Sequence, residues 1–237
     1  AGLVTLSWKV PVNATRGTYR ITLANTTASG TAKTPSDAQD FEVTGFVCLV
    51  QAKNLADEAF EGALIESYNA SAPASVLTKG STNSTGWIRF NLDSGNYTFK
   101  AFVNNVEVGS LSNLTITADM ELPLSLRLFN FAATVKTEEG DGVPLVDIAL
   151  KYNYTTRDST VATGMSTAKT NTTGMAAIRN LFTNTTYRVE AQRYGMLFNV
   201  TTLIIEPQPA SALVNLNLTL PTYTLGVHAL DAKDSGA

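Results

Sequence analysis

A chain of 237 residues with one cysteine, Cys48, and one histidine, His228, is short of the two side chains most used in nucleophilic and acid–base chemistry. A lone thiol closes no intramolecular disulfide, so no bridge framework staples the fold. Within Phe46-Val-Cys-Leu-Val50 the thiol reads as buried and inert, and His228 reads as a strand residue near a domain boundary. Charge is scarce as well: Asp, Glu, Lys and Arg make up 16%, against roughly a quarter in ordinary domains. At net charge −3, with no cluster of Lys or Arg, the chain has no electrostatic footing for nucleic acid or an anionic membrane. No phosphate loop, dinucleotide-binding glycine fingerprint or zinc spacing occurs. A transmembrane helix is missing too: the charge-free stretch from Pro207 to Leu230 is interrupted by Pro209, Asn215, Asn217 and Pro221, and its apolar residues alternate, so it reads as two strands. Ala1 to Val12 has neither a basic start nor a continuous apolar run, so the sequence reads as mature or internal.

Hydroxyls take the place of charge, with Ser and Thr numbering 49. Asn-x-Ser/Thr sequons occur at Asn13, Asn25, Asn69, Asn83, Asn96, Asn113, Asn153, Asn171, Asn184, Asn199 and Asn217, which is 11 of 18 asparagines. Composition alone would give about four, so N-linked glycosylation on an extracellular, cell-surface protein is the expectation. The bland alternative is that Asn and Thr simply abound in β-turns and strands. Glycans without disulfides fit an archaeal cell surface.

Apolar residues alternate with period two at Val4-Leu6-Trp8-Val10, Tyr19-Ile21-Leu23, Leu122-Leu124-Leu126-Leu128 and Val214-Leu216-Leu218-Leu220, the pattern of half-buried strands. The stretch Asn54 to Tyr68 has helix formers, yet Gly62 breaks it and Leu64, Glu66 and Tyr68 alternate, which predicts a loop and then a strand. The chain also repeats itself at about 84 to 90 residues, the size of one sandwich domain. Ala63 to Asn69 answers Asp147 to Asn153, Thr82 to Gly86 answers Thr170 to Gly174, and Gly95 to Ala101 answers Asn184 to Ala191. Sequons 69/153, 83/171, 96/184 and 113/199 then pair, and glycan sites are expected at matching places in both copies.

A first strand, a Gly/Pro turn such as Gly140-Asp-Gly-Val-Pro144, a second strand, an Asn-x-x-Gly turn and a Tyr-led strand resemble the carboxypeptidase-regulatory-like or CnaB-type (transthyretin-like, prealbumin-like) β-sandwich, twice over residues 46 to 223. Residues 1 to 44 are similar to the closing half of an immunoglobulin-like or macroglobulin-type domain, and Tyr223 to Leu230 with Asp234-Ser-Gly236 resembles the opening of a further copy. The expected architecture is all-β, with tandem antiparallel sandwiches and little or no helix. Its parts are residues 1–44, a first CnaB-like unit at 45–130, a second at 131–223, and a further strand or donated strand at 224–237. Only Phe129 to Phe131 separate the two central units, so a stiff rod is expected, completed at both ends by adjacent domains or neighbouring chains.

The CnaB resemblance implies one covalent possibility, a Lys–Asn isopeptide bond, for which Lys136 and Asn215 or Asn217 are the candidates; strand parity turns both asparagines outward and argues against it. Calcium could be held only at acidic turns, Glu138, Glu139 and Asp141 or Asp231 and Asp234, and solvated carboxylates are the expectation there; no cofactor is otherwise implied. The leading expectation is a non-catalytic, self-associating protein of a surface layer, sheath or filament. An adhesin stalk or carbohydrate-binding protein, using Tyr152, Tyr154, Tyr187 or Tyr194, is the first alternative, and accessory domains of a secreted hydrolase the second.

Overall fold

The computed structural model describes residues 17–26, 29, 32–43, 45–207, 209 and 211–221. Val4 to Val10, Asn13, His228, Asp231, Asp234 and the strand expected at Tyr223 to Leu230 lie outside the described residues. Among the described residues every regular element is a strand: β1 (Gly17–Thr26), β2 (Ala32–Val43), β3 (Phe46–Lys53), β4 (Leu64–Asn69), β5 (Val76–Ser81), β6 (Trp87–Leu92), β7 (Gly95–Val103), β8 (Val106–Ile116), β9 (Met120–Ser125), β10 (Leu128–Lys136), β11 (Val146–Thr155), β12 (Val161–Lys169), β13 (Met175–Phe182), β14 (Thr185–Arg193), β15 (Met196–Ile205) and β16 (Leu213–Thr219). Residues 54–63 are loop and turns with a single bridge from Ala59 to Lys53, and the strand after them starts at Leu64.

The chain divides into two units. The first holds residues 1–128 with 155–160, and the second holds 129–154 with 161–237. In the first, a three-stranded sheet ordered β6-β3-β9 faces a four-stranded sheet ordered β5-β4-β7-β8. In the second, β13-β10-β16 and β12-β11-β14-β15 repeat that plan. Each is a β-sandwich whose first and last strands run parallel, β3 beside β9 and β10 beside β16, among otherwise antiparallel neighbours. The first unit also carries a hairpin in which Gly17 pairs with Val43 and the rings of Tyr19 and Phe41 stack 5.6 Å apart.

Alternation sets the cores. Cys48, Val50 and Ala52 point inward from β3, Phe99 and Ala101 from β7, and Leu122 and Leu124 from β9, with Leu126 and Leu128 buried behind them. Phe131, Ala133 and Val135 of β10, Ile148 and Leu150 of β11, and Tyr187, Val189 and Ala191 of β14 do the same in the second unit. Pro123 interrupts neither sheet, because β9 is an edge strand with one unpaired side.

The same hydrogen bonds lock the two copies. Ala63 N–H donates to Thr82 Oγ1 at 3.0 Å and that hydroxyl donates to Phe60 O at 2.7 Å. Val146 N–H donates to Thr170 Oγ1 at 2.9 Å, and this hydroxyl donates to Val143 O at 2.7 Å. Val146 is therefore the counterpart of Ala63, and the sequence match with Asp147 is one residue out. Asn69 pairs with Tyr97 where Tyr152 pairs with Tyr187, so Asn69 corresponds to Tyr152 and not to Asn153. Asn96 precedes Tyr97 directly, whereas Asn184 stands three residues before Tyr187; in the hairpins β7–β8 and β14–β15 Asn199 pairs with Ala191 where Gly109 pairs with Ala101, so Asn113 is not its counterpart. Of the four expected sequon pairs, Asn83 and Asn171 alone match residue for residue. The Tyr-Asn ends of the two strands suggest the shifted match, but it would set buried Ala63 and Ile65 against half-buried Asp147 and Ala149; inward parity makes Val146 and Ile148 their counterparts.

Candidate functional site

Asn83 and Asn171 each sit between a buried threonine, Thr82 or Thr170, and a glycine at φ +78°, Gly86 or Gly174. The glycine supplies the left-handed backbone that closes the bend, and its amide donates back to the carbonyl of the asparagine. Asn83 Oδ1 accepts from Thr85 N–H at 3.0 Å, Thr85 Oγ1–H at 2.8 Å and Trp87 N–H at 2.9 Å. Asn171 Oδ1 accepts from Thr173 N–H at 3.0 Å, Thr173 Oγ1–H at 2.7 Å and Met175 N–H at 3.0 Å. Both are Asx turns in which the sequon hydroxyl is itself a donor to the sequon amide. Asn69 repeats the bond set on a smaller scale, accepting from Ser71 N–H at 2.9 Å and Ser71 Oγ–H at 2.7 Å. These bonds use Oδ1, and the Nδ2 that would carry a glycan takes no part in them.

The remaining sequons differ in setting. Asn96 Oδ1 accepts from Thr115 Oγ1–H on the neighbouring strand at 2.7 Å. Asn113 and Asn184 take positive φ, 58° and 53°, a conformation asparagine tolerates better than most residues. Asn153, Asn199 and Asn217 lie within strands β11, β15 and β16. Asn25 is a β1 residue that pairs with Lys33. Of the nine sequon asparagines from Asn69 to Asn217, seven are exposed, Asn69 and Asn199 are half-buried, and none is buried.

Residues weighed for other chemistry fall into structural places. Cys48 is fully buried, and burial pushes its thiol up to about 12. Lys136 stands opposite Thr219, Asn217 opposite Thr134 and Asn215 opposite Ala132; all three candidates for the covalent bond are exposed, while Leu218 turns inward. The turn at Glu138, Glu139 and Asp141 is closed by Thr137, whose N–H donates to Asp141 O and whose hydroxyl accepts from Asp141 N–H. Among the described residues no three His, Cys, Asp or Glu side chains are grouped to hold a metal ion. Tyr187 is a core residue whose hydroxyl donates to Phe182 O at 2.7 Å, and burial raises its pKa. Tyr152 packs 4.8 Å from its ring and Tyr154 5.3 Å from that of Phe182. Tyr194 alone of the four is broadly exposed, at 73%, with the Arg193 guanidinium 5.0 Å from its ring.

A charged cluster in the first unit escaped the sequence analysis. Glu66 is 1% exposed, and its Oε2 accepts from Tyr68 Oη–H at 2.6 Å and from Arg157 at 2.9 Å. The Arg157 guanidinium lies 4.6 Å from the Phe102 ring, and Arg157 N–H donates to Asn105 O. Burial would raise the Glu66 pKa, but the bonds from Tyr68 and Arg157 and the Arg157 charge outweigh it and hold the carboxyl below its usual range. Burial and the same carboxylate push Tyr68 up to about 12. An isolated glutamate in an alternating strand carries no signal for a partner 91 residues away.

No protein-family model matches the chain, and no curated protein matches it. Among solved structures it is similar to the shaft pilin SpaA of Lactobacillus rhamnosus GG, at 11% identity and a TM-score of 0.43 over 78% of this chain and 100% of that one. The minor pilin GBS52 of Streptococcus agalactiae gives 13% and 0.35 over 78% and 100%. The Bacillus anthracis TIE protein gives 14% and 0.31 over 90% of this chain and 45% of its own. At these scores the likenesses assign neither a family nor a function.

Proposed function

We propose that this chain is a non-catalytic structural protein of the cell exterior, in which N-glycosylated β-sandwich units associate with copies of themselves or with adjacent domains in a surface layer, sheath or filament. The observation that carries the proposal is the placement of the sequons: nine asparagines spread over both units, none of them buried, in a chain with few charges to keep it soluble. Three of them, Asn113 on β8, Asn199 on β15 and Asn217 on β16, lie on edge strands. An unguarded edge invites pairing with any other strand, and a glycan there blocks it as a charge or proline would elsewhere. The exterior is thereby left to associate where it is not sugar-coated, through the specific surfaces an ordered assembly needs.

Negative-stain microscopy of native material tests this: ordered arrays or filaments of this chain are expected, and dispersed monomers at physiological concentration and salt would contradict it. A carbohydrate-binding reading keeps one observation in its favour, the exposed Tyr194 beside Arg193, and binding to a glycan array that is lost in Tyr194→Ala would favour it instead.

A further inference from the structure

Five of the described sequons fall into two geometric classes, and we infer that the class decides when each is modified: Asn69, Asn83 and Asn171 are acceptors in the folded protein, whereas Asn153 and Asn217 accept a glycan only before their strands pair. This rests on the glycosylation reading above and adds the order in which sites fill.

The reaction fixes what an acceptor must offer. Asn Nδ2 attacks the anomeric carbon of a glycan carried on a polyprenyl phosphate or diphosphate. The carbon–oxygen bond to phosphate breaks, the phosphate leaves with the electron pair, a carbon–nitrogen bond forms, and Nδ2 gives up one proton to a base of the transferase. The transferase must engage the amide and the hydroxyl two residues on at the same time.

In the bends, these two groups are already together. Thr85 Oγ1 is 2.8 Å from Asn83 Oδ1, Thr173 Oγ1 is 2.7 Å from Asn171 Oδ1, and Ser71 Oγ is 2.7 Å from Asn69 Oδ1. Each bend fixes the amide plane through Oδ1 and leaves both Nδ2 hydrogens unused by the turn. Asn83 and Asn171 are exposed, and the buried Thr82 and Thr170 hydroxyls anchor the bends to the sandwich. The acceptor conformation is thus part of the native fold and costs nothing further to reach.

Asn153 and Asn217 are equally exposed, so burial does not separate the classes. Backbone shape does. Asn153 lies in β11, which is flanked by β12 and β14, and Asn217 and Thr219 are registered against Thr134 and Lys136 of β10. An extended tripeptide sets the backbones of its first and third residues about 6.7 Å apart along the strand, and the bend that closes Asn83 and Asn171 onto their hydroxyls can be reached there only by breaking ladder bonds. A nascent or unpaired strand meets no such cost.

The test is transfer in vitro. The full unglycosylated chain, folded, and a proteolytic digest of the same chain are each incubated with an oligosaccharyltransferase and a polyprenyl-diphosphate heptasaccharide, and occupancy at each site is read by glycopeptide mass spectrometry. The expected result is transfer at all five sites in the digest, retention at Asn69, Asn83 and Asn171 in the folded chain, and loss at Asn153 and Asn217. Equal transfer at Asn153 and Asn217 in both forms, or loss at Asn83 and Asn171 on folding, overturns the inference while leaving the glycosylation reading standing. Bare asparagines throughout native material would overturn both.

Discussion

Glu66 and Arg157 stand 91 residues apart in the sequence and 2.9 Å apart in the first unit, where a buried carboxylate meets a partly exposed guanidinium. A buried ion pair is not in itself a large source of stability, but losing one partner strands the other. Arg157, however, is 40% exposed and keeps water when Glu66 is removed, so Glu66→Ala should lower the stability of the first unit by about 1–3 kcal/mol, mainly through the lost bonds from Tyr68 and Arg157. The pH dependence has a definite sign. A carboxyl held below its ordinary pKa contributes stability that is present above the unfolded value, about 4.3, and is lost as pH falls through the lower folded value. The stability gap between the native chain and Glu66→Gln, followed by urea titration, should stay constant from neutral pH down to about 5 and shrink below about 4. A gap that persists in acid would show that the charge is not what matters.

Asn171→Ala removes an acceptor of three hydrogen bonds at an exposed turn, which should cost about 1–2 kcal/mol in unglycosylated protein, and Asn83→Ala should cost the same. Urea midpoints of chain made without glycan would separate this folding role from any effect of sugar. Unchanged midpoints would mean that the bends are held by their glycines and flanking threonines alone.

Two glycines with the same φ of +78° should behave differently. Gly195 has open space where a Cβ would go, so Gly195→Ala should cost only the backbone strain, about 1 kcal/mol. A Cβ on Gly174 would meet the carbonyl oxygen of Val135 and the backbone of Val143, so Gly174→Ala should cost more than about 3 kcal/mol or prevent folding of the second unit. Circular dichroism melts of the pair would check the contrast.

Cys48 should resist thiol-specific reagents at pH 8 in the folded chain and react at once in denaturant, because its thiol is buried and its pKa is pushed up to about 12. Rapid labelling without denaturant would place the side chain outside the core.

Much of this fold was legible in the sequence, because strand parity needs only the strand itself. The run Leu122, Leu124, Leu126 and Leu128 is buried throughout, and Asn215 and Asn217 face outward as their neighbours require. The repeat was visible for the same reason. Its register was not, since the match followed the Tyr-Asn ends of the two strands, which stand one residue apart in the structure, and not the buried positions Ala63 and Ile65, which answer Val146 and Ile148. The sequons could be read as acceptors, yet the difference between an Asx turn at Asn83 and an extended strand at Asn217 depends on Gly86 in one case and on pairing with β10 in the other. Tyr152 and Tyr154 could be binding aromatics only under the alternative reading, since alternating strand tyrosines are more often packing residues; they pack against Phe182 and Tyr187.

Glycopeptide mass spectrometry of the protein taken from its native source tests the central claim most directly. The account predicts several occupied sequons, with Asn83 and Asn171 among them and the edge-strand sites Asn113, Asn199 and Asn217 represented. Unmodified asparagine at nearly all 11 sequons would contradict it, and would reduce the Asn-x-Ser/Thr excess to a device for building turns.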